Sequence, residues 1–286
     1  MNTESLFETY RSRLLGLAYR LLGSRSDAED VVQDAWLRWH QADRSAIRDA
    51  EAWLVTATTR LGIDRLRLVR NERENYPGPW LPEPLTVDTS PTPESRADIG
   101  SQVSLAFLSL LERLGPEERA AFLLKEVFDY DYAQVAELIG HSEANCRQMV
   151  HRARQRVQAE RPRFEVEPDT HRRLLERFMY ATQAGDRAAI MQLLHANATL
   201  VSDGGGKVTA TIRPLQGSDR IADLFWALSR RAGDELKTRI GSVNGEPALM
   251  RWYQGRLHSI TTITIEDDRI AQVLSVLNPD KLPASG

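Results

Sequence analysis

The sequence predicts a multidomain protein: two all-α domains followed by a C-terminal α+β domain. Three observations carry this. Apolar residues recur at helical spacing through the first 160 residues; a proline-rich stretch interrupts them near Tyr76; and beyond Arg161-Pro162 short runs rich in Thr, Ile and Val take over. The chain has 286 residues, 42% of them hydrophobic, and at roughly 150 residues per domain that accommodates about two folded cores. The single cysteine, Cys146, excludes a disulfide framework and any multi-cysteine metal site. No run approaches the ~18 apolar residues of a membrane span. The first residues, MNTESLFETYRSRL, lack the basic-then-apolar layout of a secretory signal. A cytoplasmic protein with no membrane partner is therefore expected. A net charge of -3 argues, taken whole, against a nucleic-acid binder.

The elements follow in order. Leu14, Leu17, Ala18, Leu21 and Leu22 form one helical stripe. Ser26 reads as the N-cap of a second helix, with Asp27, Glu29 and Asp30 in its first turn and Val32, Ala35, Trp36 and Trp39 as its apolar side. A third helix runs from near Ala50 through Trp53, Leu54, Ala57 and Leu61 towards Arg73. These make a first domain over residues 1–75. Residues 76–98 read as a linker, because Tyr76 to Ser95 holds six prolines and cannot sustain a helix. Helical patterning resumes over residues 99–160, with helices expected over Glu117 to Val127, Tyr132 to Ile139 and Glu143 to Val157. The third domain, 168–286, opens with helices over Thr170 to Ala184 and Arg187 to Leu194. Strands are expected at Val208 to Ile212, Leu236 to Val243, Leu249 to Tyr253, Leu257 to Ile265 and Ile270 to Leu277, with Asn244-Gly245 as a type I′ hairpin turn.

Charge is distributed unevenly. From Glu143 to Arg163 six arginines face two glutamates, a net of +4. This segment follows a short helix, Gly140 and the capping residue Ser142, the layout of a helix-turn-helix whose second helix reads the major groove. Asn145, Arg147, Gln148, His151, Arg152 and Arg154 are its candidate donors to bases and phosphates. From Arg60 to Arg73 five arginines face Asp64 and Glu72, a net of +3; these could track a DNA backbone while Trp53 stacks on an unpaired base. From Asp27 to Asp34 four acids stand without a Lys or Arg, an acidic face suited to a basic partner.

As an ordered set these segments resemble the bacterial extracytoplasmic-function sigma factors. The resemblance implies that Asp27, Asp30, Asp34 and Trp36 belong to the region 2 surface that grips the β′ coiled coil of RNA polymerase. It implies that Arg44, Trp53, Arg60, Arg65 and Arg67 belong to the part that melts and reads the −10 element. It implies that residues 117–158 form region 4, which reads the −35 element as duplex. Gln134 departs from the family, where Glu is common. The expected partners are core RNA polymerase, through its β′ and β subunits, and promoter DNA.

Three further motifs, YPGPWLPEP (Tyr76 to Pro84), DGGGK (Asp203 to Lys207) and NPDKL (Asn278 to Leu282), resemble those of the subgroup with a fused SnoaL-like C-terminal domain, the SigJ-like type. That resemblance implies a cone-shaped SnoaL/NTF2-like fold for the third domain. Regulatory contacts are expected from Trp80 and Leu81, read as exposed anchors, from a flexible Asp203, Gly204, Gly205, Gly206 and Lys207, and from Asn278, Pro279, Asp280, Lys281 and Leu282. Control in cis follows, because a tethered domain meets its partner at an effective concentration of order mM. Asp203, His195, Arg251, Trp252 and His258 have the residue types of a SnoaL-like acid/base site. No pair of them has a spacing that sets a catalytic geometry, so catalysis, cofactor and metal are not expected, and an unidentified small ligand of this domain is left open. Two rivals remain at this point: a one-component ligand-responsive repressor, which has no use for the acidic helix or the arginine helix, and a bifunctional cyclase-like enzyme.

Overall fold

The computed structural model describes residues 3–43, 45, 47–87, 103–160, 167–231 and 235–283. Arg44 and the second part of the expected linker, 88–98, lie outside the described residues. The chain divides into two compact units: residues 1–74 with 96–103 and 107–161, and residues 75–95 with 104–106 and 162–286.

The first unit is helical. Helices α1 (Thr3–Leu22), α2 (Arg25–Gln41) and α3 (Ala50–Glu74) pack together, and the Leu14, Leu17, Ala18, Leu21 and Leu22 stripe is buried as expected. The cap of α2 is Ser24, not Ser26. Gly23, at φ 65°, ends α1, so the extended residue that follows takes the cap position, and its Oγ accepts from the Asp27 N–H at 3.3 Å. The α2 core face is Ala28, Val31, Val32, Ala35 and Trp39, while Trp36 is only half-buried. Helices α4 (Leu105–Leu111), α5 (Pro116–Glu126), α6 (Tyr132–Ile139) and α7 (Glu143–Glu160) follow. At the start of α6, Asp131 accepts from the Gln134 N–H at 2.8 Å and donates its own N–H to Gln134 Oε1 at 2.9 Å. Gln134 thus completes a capping box that Glu would complete equally. Gly140, left-handed at φ 76°, turns the chain, and Ser142 Oγ accepts from Asn145 N–H to start α7. Val135, Leu138, Val150 and Ala153 bury the seam between α6 and α7, with Ala136 and Ile139 half-buried.

The second unit is α+β. Helices α8 (Pro168–Ala184), α9 (Arg187–Leu193) and α10 (Ser218–Ser229) accompany strands β1 (Thr86–Val87), β2 (Leu194–Asp203), β3 (Leu215–Gln216), β4 (Leu236–Val243), β5 (Glu246–Tyr253), β6 (Arg256–Glu266) and β7 (Arg269–Val276). The sheet order is β1-β4-β5-β6-β7-β2-β3. Strands β4 to β7 form the expected antiparallel meander, and β2 joins β7 in parallel. Asn244 at φ 54° and Gly245 at φ 80° make the I′ turn. Elements β1, β2, β3 and α10 were not expected, and one expected strand, Val208 to Ile212, is irregular. That run has β-forming residues but no partner strand; Thr211 bonds Ser202 instead, N–H to Oγ at 2.9 Å.

The two faces of this sheet are covered differently. One packs Leu200, Leu249, Ile263 and Val273 against Leu175, Phe178, Ile221 and Phe225 of the helices. The other packs Val243, Ala248, Ile260, Leu274 and Val276 against Leu81 and Leu105. The proline-rich segment is therefore built into this unit as far as Val87: Thr86 pairs with Val243, and Leu85 exchanges two 2.8 Å bonds with Asn244, through its N–H to Asn244 Oδ1 and its carbonyl from the Asn244 N–H.

Candidate nucleic-acid interface and the docked proline segment

Helix α7 presents its outer side through Gln148, His151 and Gln155, all exposed and spaced three and four residues apart, so they share one face. Gln155 was missed in the sequence reading, although the same spacing identifies it. The arginines flank this row and each holds an acid. Arg147 bonds Glu143 at 2.8 Å and lies 5.1 Å from the Tyr132 ring centroid. Arg152 and Arg156 both bond Glu118, and Arg154 bonds Glu126 at 2.6 Å. Asn145 is half-buried, its Nδ2 3.3 Å from His141 Nδ1.

On the region 2 side, Asp30 and Asp34 are exposed, and Trp36 stacks on His40 with centroids 5.4 Å apart. Asp27 behaves differently. Its carboxylate accepts two bonds from Arg65, at 2.8 and 2.6 Å, and that hydrogen bonding raises the Arg65 pKa. Two residues expected to face different partners are thus joined to each other. Trp53 is half-buried and tilts against Trp39, centroids 5.4 Å apart.

Three further arginines of α3, Arg60, Arg67 and Arg73, turn towards α4, α5 and α6. Arg60 donates to the carbonyls of Leu138 and Glu137, at 3.2 and 3.3 Å, where the end of α6 concentrates negative dipole charge. Arg67 bonds Asp64 and Glu117. Arg73 bonds Glu112 and donates to the Leu22 carbonyl at 2.6 Å. Arg119, 1% exposed, donates to the Leu21 carbonyl at 2.7 Å and to Glu112 at 2.8 Å. Glu112 therefore holds two guanidinium groups, and their network ties α1 and α3 to α4 and α5. Neither Glu112 nor Arg119 is marked as a site residue by the sequence pattern.

In the second unit the three motifs converge on one carboxylate. Asp203 is 0% exposed and accepts from Tyr76 Oη at 2.6 Å, the Leu81 N–H at 2.9 Å, the Gly205 N–H at 3.0 Å and Lys281 Nζ at 2.6 Å. Lys281 also donates to the Leu81 carbonyl at 2.6 Å and lies 4.0 Å from the Trp80 ring centroid. Asn278 Nδ2 donates to Tyr76 Oη at 2.8 Å, and Lys207 pairs with Asp280. Burial, with Asp203 beside it, lifts the Tyr76 phenol above its ordinary range. The glycines admit this closeness: a Cβ on Gly205 would lie 2.4 Å from Asn278, and one on Gly206 2.7 Å from Pro77. Two expectations are corrected here. Leu81 is 3% exposed and part of the core, not an exposed anchor, with Trp80 half-buried beside it; and Asp203 to Lys207 is a bonded turn, not a flexible one. Tyr76 and Asn244 were missed as contacts, although both lie in or beside legible turn and proline signals.

The acid/base candidates do not meet. Asp203, two residues from Val201, lies on the face covered by the proline segment, whereas Arg251, two residues from Leu249, lies on the helix face. His195 Nδ1 accepts from the Asn197 N–H at 3.2 Å, and His258 is exposed beside Tyr253. Among the described residues no cluster of His, Cys, Asp or Glu could hold a metal, and no helix is long and apolar enough to cross a membrane.

Glu246 sits next to the Asn244-Gly245 turn that clasps Leu85, and burial raises its carboxyl from 4.5 to about 7. A raised acid favours the folded state while protonated and loses that advantage as pH rises. The second unit is expected to lose stability between pH 4.5 and about 7, and Glu246→Gln should flatten this slope in thermal melts run across that range.

Comparison with known proteins accords with this arrangement. The Sigma-70 region 2 family model matches residues 6–72 and the Sigma-70 region 4 model residues 104–157. The chain is 38% identical to the ECF RNA polymerase sigma factor SigJ of Mycobacterium tuberculosis, covering 98% of this chain and 93% of that protein. It is 31% identical to the probable ECF sigma factor SigI of the same species, covering 96% and 93%. The crystal structure of M. tuberculosis SigJ superposes with a TM-score of 0.79 at 36% identity, covering 97% of both chains. The chain thus belongs to the extracytoplasmic-function sigma factors of RNA polymerase, transcription initiation factors and not enzymes.

Proposed function

We propose that this sigma factor, which binds core RNA polymerase and directs promoter-specific initiation, is controlled in cis by its C-terminal domain through the proline segment. The observation that carries this is the convergence of Tyr76, Leu81, Asn278 and Lys281 on the buried Asp203. Residues 76–87 begin the stretch between regions 2 and 4, so a domain that holds them restricts how far those regions can separate. Positions −35 and −10 differ by 25 base pairs, about 85 Å at 3.4 Å per pair. The restriction therefore bears on promoter reading. In vitro transcription with core polymerase tests it, comparing the full chain with chains lacking residues 162–286, lacking 278–286, or carrying Asp203→Asn. Unchanged output from all three sinks the proposal.

The individual roles belong to the same reading. Asp30, Asp34 and Trp36 would meet β′, with Asp27 setting the helix start. Trp53 and Arg44 of the −10 set would capture the melted strand, together with Arg60, Arg65 and Arg67 once these three leave their present partners. Region 4 would sit on β and read the −35 duplex with Gln148, His151 and Gln155, the flanking Asn145, Arg147, Arg152 and Arg154 holding phosphates. Gln148→Ala is expected to weaken −35 discrimination by about 1–3 kcal/mol, the scale of a good base contact, while Arg154→Ala should weaken binding alike on all sequences. Competition binding on −35 variants separates the two, and equal losses on every sequence would remove Gln148 from base reading.

A further inference from the structure

We propose, resting on the docked and released states of the proline segment put forward above, that Asn244 is a site of self-modification by deamidation, spared while the segment is docked and converted when it leaves. Asn244-Gly245 is the one Asn-Gly pair in the 286 residues. Glycine is the following residue beside which asparagine reacts most readily, because no Cβ shields its backbone nitrogen. That nitrogen bonds to Asn244 Cγ, the Cγ–Nδ2 bond breaks, and ammonia leaves with the amide proton. One water then opens the cyclic imide. Opening at Cγ gives aspartate; opening at the former main-chain carbonyl gives isoaspartate, in which the chain runs through the side chain. Net, an amide and a water become a carboxylic acid and ammonia, with no other reactant.

The docked segment is the gate. Asn244 is 1% exposed, although Gly245 beside it is open to solvent. Its Oδ1 accepts the Leu85 N–H and its own N–H donates to the Leu85 carbonyl, both at 2.8 Å. Its neighbour Val243 pairs with Glu246 across the hairpin and with Thr86 of the segment. Attack brings Asn244 Cγ onto the Gly245 nitrogen, and a side chain pinned at Oδ1 in a paired turn reaches it only through local opening. Neither product restores the clasp. Each places a carboxylate where the amide was closed to water, two residues from Glu246, whose burial already disfavours a charge and raises its carboxyl to about 7. Isoaspartate also lengthens the main chain by one carbon inside the turn. Release therefore becomes harder to reverse with each conversion, and Asn244 keeps a chemical record that the clasp has opened.

The test follows the full chain by peptide mass spectrometry during incubation in mildly alkaline buffer. Wild type is compared folded and in urea, beside Leu85→Pro, which removes the N–H that holds Oδ1 and keeps the carbonyl, and Leu81→Ala, which loosens the segment. Folded wild type should convert Asn244 at least about tenfold more slowly than the urea-unfolded chain, because its reaction waits on opening. Leu85→Pro should raise the folded rate about two- to tenfold, the equilibrium effect of one hydrogen bond, and Leu81→Ala should raise it as well. Hydrogen exchange on Asn244→Asp should show a less protected Leu85 amide than in wild type. No conversion in urea, equal rates folded and unfolded, or variants that fold yet convert no faster than wild type overturn the proposal. Thermal melts report whether the variants fold. Should both unfold, wild type in sub-denaturing urea decides: conversion should rise in step with exchange of the Leu85 amide, and conversion that stays flat while Leu85 exchanges overturns the gate. None of these measurements involves polymerase, so their failure leaves control in cis to the transcription assay.

Discussion

Asp203→Asn is expected to destabilise the C-terminal unit by about 3–5 kcal/mol, the cost of leaving a buried charge without its partner. The charge is Lys281, whose side chain is 12% exposed and which also meets the Leu81 carbonyl and the Trp80 and Tyr76 rings, none of them anionic. The substituted amide keeps the volume but cannot neutralise the ammonium group. One of its two head atoms also becomes a donor facing either Tyr76 and Gly205 or Leu81 and Lys281. Urea unfolding reports the loss, and hydrogen exchange localises it: the Leu81 and Leu85 amides should lose protection before β5 and β6 do. Asp203→Asn with wild-type stability would mean that the ion pair contributes nothing beyond its isosteric amide.

Glu112→Ala is expected to have a comparable cost, about 3–5 kcal/mol, in the helical unit. It removes the carboxylate that both guanidinium groups share, while Arg119 keeps the Leu21 carbonyl and Arg73 the Leu22 carbonyl. Part of the effect should appear as function. With α3 released from α4 and α5, the free protein should bind promoter fragments more tightly, and each arginine freed to meet a phosphate should steepen the salt dependence by about one unit of slope. Denaturant titration and salt-dependent DNA binding read the two consequences separately. A double cycle with Arg119→Met isolates the pair, since a methionine there removes the stranded cation and should recover part of the stability. Loss of stability with no gain in DNA binding would show that the network supports the fold without restraining region 2.

The helix-turn-helix was legible because its signals are local. Asp131 and Gln134 cap, Gly140 turns and Ser142 caps again, all within twelve residues, and the expected bounds of α6 are those observed. The meander was legible for the same reason: Asn244-Gly245 and Asp267-Asp268 set their own turns with positive φ. Strand β2 was not, because its pairing with β7 joins Leu200 to Val273, a parallel contact between distant segments that leaves no local mark. Helix α10 carried a readable signal in Ile221, Ala222 and Phe225 that the polar residues around it obscured.

Charge separates the two levels most clearly. The sums of +3 over 60–73 and +4 over 143–163, and the four acids over 27–34, are properties of the chain and hold in any fold. They sufficed to mark DNA-facing and polymerase-facing segments despite a total of -3. Which arginine faces which partner is a tertiary matter. A long side chain reaches whatever the packing brings near, so Arg65 meets Asp27, Arg60 meets the end of α6, and Glu112 gathers Arg73 and Arg119. Likewise the sequence by itself determined that three motifs set this chain apart. Only folding decided that they form one site, because Tyr76, Asp203 and Lys281 become neighbours through a sheet that buries the carboxylate holding them.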